Sequence, residues 1–310
     1  MPAQILQPDD IALATCTTHL QNGGLVAIPT ETVYGLAADA SNPVAVAAIY
    51  ETKGRPQFNP LIAHVSSLDM ARTEGQFSDN ALKLVEAFWP GPLTLVVDLA
   101  PTAKTCDLAR SGLSTIALRC SAHPVARDLI QRFDGPLVAP SANPSGRISP
   151  TTPQHVAADL GDKIDLILDG GPCGTGLEST IIDARGKRPA LLRAGAVTPD
   201  QIEQIWPGLI RPETTPDAPT APGQLLRHYA PNATLRLNAD RVAPDEALLG
   251  FGDVDATLNL SPTGNLSEAA ANLFAMLRAL DETHTKIAVS PIPNTGLGEA
   301  INDRLIRAAR

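Results

Sequence analysis

Lys53 and Arg55 flank a single glycine at the end of a helical pattern, and Pro56 stops that helix from continuing. Two cations on a rigid loop suit a phosphate group. Arginine grips its oxygens bidentately, and lysine acts as a point charge. The same pair suits a helix C-terminus, whose dipole it offsets; taken alone, this second role explains it better. The loop runs through Asn59 and Pro60 into an apolar strand that carries His64. A lone histidine in a strand is more often a packed side chain than a catalyst.

Other polar segments also stand at the ends of apolar runs. Thr30, Glu31, Thr32 and Tyr34 follow the run 25–28, and in open α/β sheets ligands sit at the C-terminal ends of strands. They equally make a turn that caps a helix. Arg119 closes the run beginning at Thr115. A buried guanidinium cannot lose its charge, so it needs an anion, either a protein carboxylate or a ligand. Ser141, Asn143, Ser145, Arg147 and Ser149 follow Ala139 in one loop. Hydroxyls and backbone N–H groups placed this way can cradle phosphate, though the same residues dominate ordinary turns. Gly170, Gly171, Gly174 and Gly176 lead to Glu178 and Ser179 without forming a dinucleotide fingerprint or a P-loop. Arg227, His228 and Tyr229 stand together in an otherwise bland proline-rich stretch.

The elements that must position these groups alternate along the chain. Short apolar runs at 25–28, 61–65, 93–99, 115–119, 137–139, 164–168, 179–183 and 190–193 read as strands. Helical patterns cover 9–22, 43–51, 79–88, 124–133 and 152–160, several opened by a capping residue or an early proline. This interleaving is the mark of an α/β fold. Pro207, Pro212, Pro216, Pro219, Pro222 and Pro231 mark residues 207–231 as an extended linker. Beyond it, strand patterns at 234–237, 247–251, 256–260 and 286–289 and helical patterns at 266–280 and 298–309 form a smaller α/β unit. The predicted organisation is a unit of 1–206, a linker of 207–231 and a unit of 232–310.

Composition narrows the classes. The chain has 310 residues, 44% apolar and 18% charged, enough for two packed cores. A net charge of -9 opposes non-specific binding to nucleic acid, so weak or no direct binding is expected. Cys16, Cys106, Cys120 and Cys173 show no metal or redox spacing, and no metal site built by the protein is expected. Neither a signal-peptide pattern nor an apolar run of spanning length is present, which predicts no membrane association and a cytoplasmic location.

In order, Pro29-Thr30-Glu31-Thr32-Val33-Tyr34-Gly35-Leu36, the Lys53-to-Leu61 loop and Trp89-Pro90-Gly91-Pro92-Leu93-Thr94 are followed by three further blocks. These are Ser141-Ala142-Asn143 with Ser145-Gly146, Ser179-Thr180-Ile181-Ile182-Asp183, and Arg227-His228-Tyr229-Ala230-Pro231. This series resembles the threonylcarbamoyl-AMP synthases of the long, two-domain type with a YrdC-like first domain. The resemblance implies a twisted, open, mixed sheet joined to a smaller Rossmann-like unit. It implies a nucleotidyltransferase that makes threonylcarbamoyl-AMP and pyrophosphate from L-threonine, bicarbonate and ATP, with Mg²⁺ accompanying the ATP. The product would serve other proteins that threonylcarbamoylate tRNA.

By the same resemblance, Thr32, His64, Arg119, Ala139 and Ser179 hold threonine, with Arg119 on its carboxylate. Lys53, Arg55, Asn59, Thr115, Ser141, Asn143, Ser149, Arg193 and Tyr229 hold ATP, with Lys53 and Arg55 positioning it and Tyr229 closing the pocket as part of a lid. Just before Arg227 the family carries Lys-Tyr where this chain has Leu225 and Leu226. Two competing roles fit less well. A carbamoyl-phosphate enzyme of the hydrogenase-maturation kind would need more chain and cysteine pairs. An RNA-binding module would need stacking aromatics, and only 4% of residues are aromatic.

Overall fold

The computed structural model describes residues 2–212 and 228–310. Most of the predicted linker, including Arg227, therefore lies outside the described residues. Eleven strands make the larger sheet. They are β1 (Gln4–Leu6), β2 (Val26–Ile28), β3 (Gly35–Asp39), β4 (Ile62–His64), β5 (Gly75–Gln76), β6 (Leu93–Leu99), β7 (Thr115–Arg119), β8 (Leu137–Val138), β9 (Leu166–Leu168), β10 (Thr180–Asp183) and β11 (Ala190–Arg193). Their order is β1-β9-β2-β3-β8-β4-β7-β6-β10-β11, with β5 added beside β6. Parallel pairs such as β4 with β7 mix with antiparallel pairs such as β2 with β3, so the sheet is mixed, as the resemblance implied.

Helices α1 (Asp10–Gln21), α2 (Pro43–Lys53), α3 (Leu68–Glu74), α4 (Asp79–Phe88), α5 (Pro124–Phe133), α6 (Pro153–Leu160) and α7 (Pro199–Ile205) accompany this sheet. Their starts follow local chemistry. Asp9 accepts from the Ala12 N–H to cap α1, and Thr152 caps α6 ahead of Pro153. The sequence pattern ended α2 at residue 51, but the helix continues to Lys53, and Gly54 caps it at φ 58°. Lys53 thus belongs to the helix and only Arg55 to the loop. β3 shows no strand pattern in the sequence because Gly-Leu-Ala-Ala is poor in β-branched residues. Its first four residues are all buried, so no polar alternation marks it.

The smaller unit has β12 (Thr234–Arg236), β13 (Ala247–Gly250), β14 (Leu258–Asn259) and β15 (Lys286–Val289), all parallel in the order β12-β15-β13-β14. Helices α8 (Leu266–Asp281) and α9 (Leu297–Ala308) pack with it. Its apolar core does not stop at its own boundary. Val33, Ile148 and Leu177 of the larger unit join Tyr229, Phe274, Leu273 and Ile301 in one buried cluster. Arg278 of α8 adds an ion pair to Asp159 of α6. The seam between the units is therefore packed. No helix of the described residues is long and apolar enough to cross a membrane.

Candidate active site

Strand alternation sets out the floor of the site. Residues of period 2 share a face. The register pairs Ile62 with Ala117 and His64 with Arg119 across β4 and β7, and Val96 with Ala117 across β6 and β7. Ile62, Val96, Ala117 and Ile181 gather on one face in a small apolar cluster. Ala63, Leu95, Leu118 and Ile182 turn to the other face and enter the main core. His64 and Arg119 end their strands one step beyond that floor, where a cavity opens.

Thr32, His64, Arg119, Ala139 and Ser179 all line this cavity. Thr30 shapes one wall: its Oγ1 lies 2.8 Å from that of Thr32 and donates to the Val33 carbonyl at 2.6 Å. The Arg119 guanidinium donates to Glu31 at 2.8 Å, and the Ser121 hydroxyl donates to the second Glu31 oxygen. In this structure the anion paired with Arg119 is thus a protein carboxylate. One donor is still unused: Arg119 Nε is buried without a partner among the described residues. Ser179 Oγ sits 2.7 Å from Thr94 Oγ1 and accepts from Arg193 Nη2 at 3.1 Å.

Arg55, Ser141, Arg193 and Tyr229 line the same cavity. The Arg55 side chain is held by the Asn59 and Pro60 carbonyls, and Arg193 by the Ser179 carbonyl. Lys53, Asn59, Asn143 and Ser149 stand behind this lining. The Lys53 ammonium donates to the carbonyls of Ser141 and Asn143. Asn143 Nδ2 donates to the Pro144 and Arg147 carbonyls, which folds the loop on itself. Ser149 donates to Glu178 at 2.5 Å. Thr115 begins β7, opposite Asp98 and on the Arg119 face, but outside the lining.

Burial governs the charges here. Lys53 is fully enclosed, and desolvation followed by the charge of Arg55 draws its pKa well below the usual lysine value. Burial also lowers Arg55 and Arg193 to about 10, so both stay cationic at neutral pH. His64 and His228 are desolvated to about 3 and are neutral. For Glu31, burial pushes the pKa up, but Arg119 and the Ser121 bond outweigh it and hold the carboxyl at about 2. Glu178 behaves likewise, held at about 2 against burial by Arg304 and Arg193.

These shifts predict the acid response. Depressed carboxyls contribute stability that is complete above their ordinary value of 4.5 and lost as pH falls towards 2. Depressed histidines contribute stability that is complete above 6.5 and lost as pH falls towards 3. All four act in one direction. Calorimetry should show Tm falling ever more steeply as pH drops below about 6.5. A Tm unchanged down to about pH 4 contradicts this electrostatic picture.

Sequence reasoning had not assigned three groups to the site. Glu31 reads in the sequence as part of a polar turn, and only the fold pairs it with Arg119. Glu178 lines the cavity beside Ser179, and His228 lines it beside Tyr229. The arginine paired with Glu178, Arg304, comes from α9 of the smaller unit. One signal for it was present. Gly298, Ile301, Arg304, Leu305 and Ala308 share the buried stripe of α9, and a charged residue on an apolar stripe needs a partner. Several buried polar atoms around the cavity have no partner among the described residues: both amide atoms of Asn59, Nδ1 of His64 and His228, Nε of Arg119 and Oδ1 of Asn143. Unpaired buried polar atoms are rare elsewhere in folded proteins and mark a place where a ligand can pair.

A mixed α/β sheet carries an arginine-rich, desolvated cavity at its strand ends, a chemistry suited to a polar, anionic small molecule. Residues 18–195 match the Sua5–YciO–YrdC family, described as "Telomere recombination", and residues 197–310 match "Threonylcarbamoyl-AMP synthase, C-terminal domain". The threonylcarbamoyl-AMP synthase of Bacillus subtilis is 37% identical over 98% of this chain and 94% of its own length. That of Pyrococcus abyssi is 38% identical over 94% of this chain and 92% of its own. The crystal structure of P. abyssi Sua5 complexed with L-threonine superposes with a TM-score of 0.91 at 35% identity, covering 99% of this chain and 98% of that one. E. coli YciO shares the fold of the larger unit, with a TM-score of 0.55 at 22% identity over 62% of this chain and 96% of its own. The chain belongs to the threonylcarbamoyl-AMP synthase family, in its two-domain form.

Proposed function

We propose that this protein is an L-threonylcarbamoyladenylate synthase, a nucleotidyltransferase that joins L-threonine, bicarbonate and ATP into threonylcarbamoyl-AMP and releases pyrophosphate. The observation that carries the proposal is one desolvated cavity. Thr32, His64, Arg119, Ala139 and Ser179 meet Arg55, Ser141, Arg193 and Tyr229 around it. The first group suits a zwitterionic amino acid, and the second suits phosphates. The relatives named for this activity and the neighbour crystallised with L-threonine support it.

Chemically, the threonine amine adds to carbon dioxide derived from bicarbonate and gives up a proton. A carbamate oxygen then attacks the α-phosphorus of ATP, the bond to the bridging oxygen breaks, and pyrophosphate departs. Such a transfer needs alignment and charge stabilisation more than covalent help. Arg119, backed by Glu31, would orient the threonine carboxylate through its unused Nε. Arg55 and Arg193, cationic at neutral pH, would hold the phosphates. Lys53 would act one layer back, by fixing the Ser141–Asn143 carbonyls. The neutral His64 would pair with threonine without adding charge.

Among the described residues, no group of three His, Cys, Asp or Glu stands where it could hold a metal. Glu31 and Glu178 are committed to Arg119 and Arg304. Mg²⁺ would therefore arrive with ATP and be held by its phosphate oxygens. The remaining cavity is about 50 Å³, room for a few waters but not for ATP. His228 and Tyr229 line it and are themselves buried, so admitting ATP would require lining residues to shift. In this assignment residues 1–206 carry the reaction. The product would pass, in the cytoplasm, to proteins that modify an adenosine beside the anticodon of tRNA. Pyrophosphate release should require L-threonine and bicarbonate together. Release that continues at the same rate without threonine contradicts the proposal.

A further inference from the structure

We infer, on the functional reading above, that Arg304 in the smaller unit is a positioning residue for the nucleotide end of the cavity, where it holds Glu178 and the Tyr229 ring across the seam. Arg304 is 1% exposed and lies on the buried stripe of α9. Packing alone does not call for it. A buried ion pair can often be replaced by apolar residues of similar volume with no loss of stability, so its presence in a helix core points to another role.

Its contacts supply that role. Nε donates to Glu178 Oε2 at 2.8 Å, across 126 residues of chain. Nη2 donates to the Ala194 carbonyl at 2.9 Å, beside Arg193. Nη1 donates to Asp303 at 2.7 Å. The guanidinium also lies 5.1 Å from the centre of the Tyr229 ring, in range for a cation–π contact. Tyr229 is held from other sides by Phe274, stacked at 5.5 Å, and by His228 at 4.0 Å. One planar cation thus fixes two side chains that line the cavity from different segments.

The pairing has a consequence for phosphate binding. Glu178 is a carboxylate in a cavity otherwise walled by Arg55, Arg119 and Arg193. Left unpaired, it would repel a triphosphate and draw Arg193 away from it. Bound to Arg304 and to Ser149, it is neutralised in place. The smaller unit then completes the ATP end of a site built mainly by the larger one.

The test uses the full chain with Arg304→Met, Arg304→Lys and the double variant Arg304→Met/Glu178→Gln. Pyrophosphate release is followed while ATP and threonine are varied separately. Arg304→Met should raise the KM for ATP roughly tenfold or more, leaving that for threonine within about threefold. Removing the stranded carboxylate in the double variant should recover part of that loss. If Arg304→Met does not fold, Arg304→Lys carries the test, with a smaller rise confined to ATP. Unchanged kinetics in folded Arg304→Met overturns the inference. So does an equal change in both KM values with no recovery in the double variant, which marks a merely structural role. Failure of the unaltered protein to release pyrophosphate in a threonine- and bicarbonate-dependent way counts instead against the functional reading itself.

Discussion

Replacing Arg119 with alanine is expected to abolish nearly all threonine-dependent turnover and to lower stability as well. The side chain is almost fully buried and donates to Glu31 at 2.8 Å. Its removal leaves the Glu31 carboxylate enclosed with only the Ser121 hydroxyl and its local backbone. Breaking one half of a buried ion pair costs on the order of 3–5 kcal/mol. The threonine carboxylate would also lose its cation, worth ~1.5–3 kcal/mol, or about one to two orders of magnitude in kcat/KM for threonine. A double variant, Arg119→Ala/Glu31→Gln, separates the two effects. It should regain much of the Tm lost by the single variant, because no charge is stranded, yet recover no threonine affinity. Steady-state kinetics over a range of threonine concentrations, with calorimetry alongside, decides the matter. An unchanged threonine dependence in Arg119→Ala removes it from the site.

The second large effect is expected at Lys53, and its form differs from that of a phosphate ligand. The ammonium bridges the carbonyls of Ser141 and Asn143, and the Ser145 N–H donates back to the Lys53 carbonyl at 2.7 Å. Lys53→Ala leaves the Asn143 carbonyl without its ammonium, at about 1–3 kcal/mol, while the Ser141 carbonyl keeps only the Asn143 N–H at 3.0 Å. The 141–149 loop should loosen, and with it Ser141 on the cavity wall. A loss of ~3 kcal/mol corresponds to a Tm drop on the order of 5 °C in a chain of this size. Lys53→Arg should not rescue, because a planar guanidinium does not fit a slot shaped for one compact ammonium. If Lys53 instead touches phosphate directly, ATP use falls while Tm stays level. Parallel loss of both supports the clamp.

Much of this was legible from residue order. The strand-end position of His64 and Arg119 follows from apolar runs that stop at polar residues. The clustering of Thr32, Ala139, Ser141 and Ser179 followed only from the resemblance, because one polar turn looks like another. Pairings set by topology were not legible. The Arg119–Glu31 pair spans 88 residues and depends on where the β2–β3 turn meets the end of β7. The Arg304–Glu178 pair depends on how the smaller unit seats against the larger one, which no local pattern encodes. The helix-end position of Lys53 was legible, but its burial was not. The helix runs on to Lys53 before Gly54 ends it in the left-handed conformation, so the lysine is buried while Arg55 enters the loop. β3 escaped because its alanines carry neither strand preference nor alternation.

The most direct test of the synthase activity is mass analysis of the products formed from ATP, L-threonine and isotopically labelled bicarbonate. Pyrophosphate is expected together with an adduct whose mass equals AMP plus threonine plus carbon dioxide less one water, carrying the labelled carbon. Conversion of ATP to ADP and phosphate, or AMP release with no labelled threonine adduct, would contradict it.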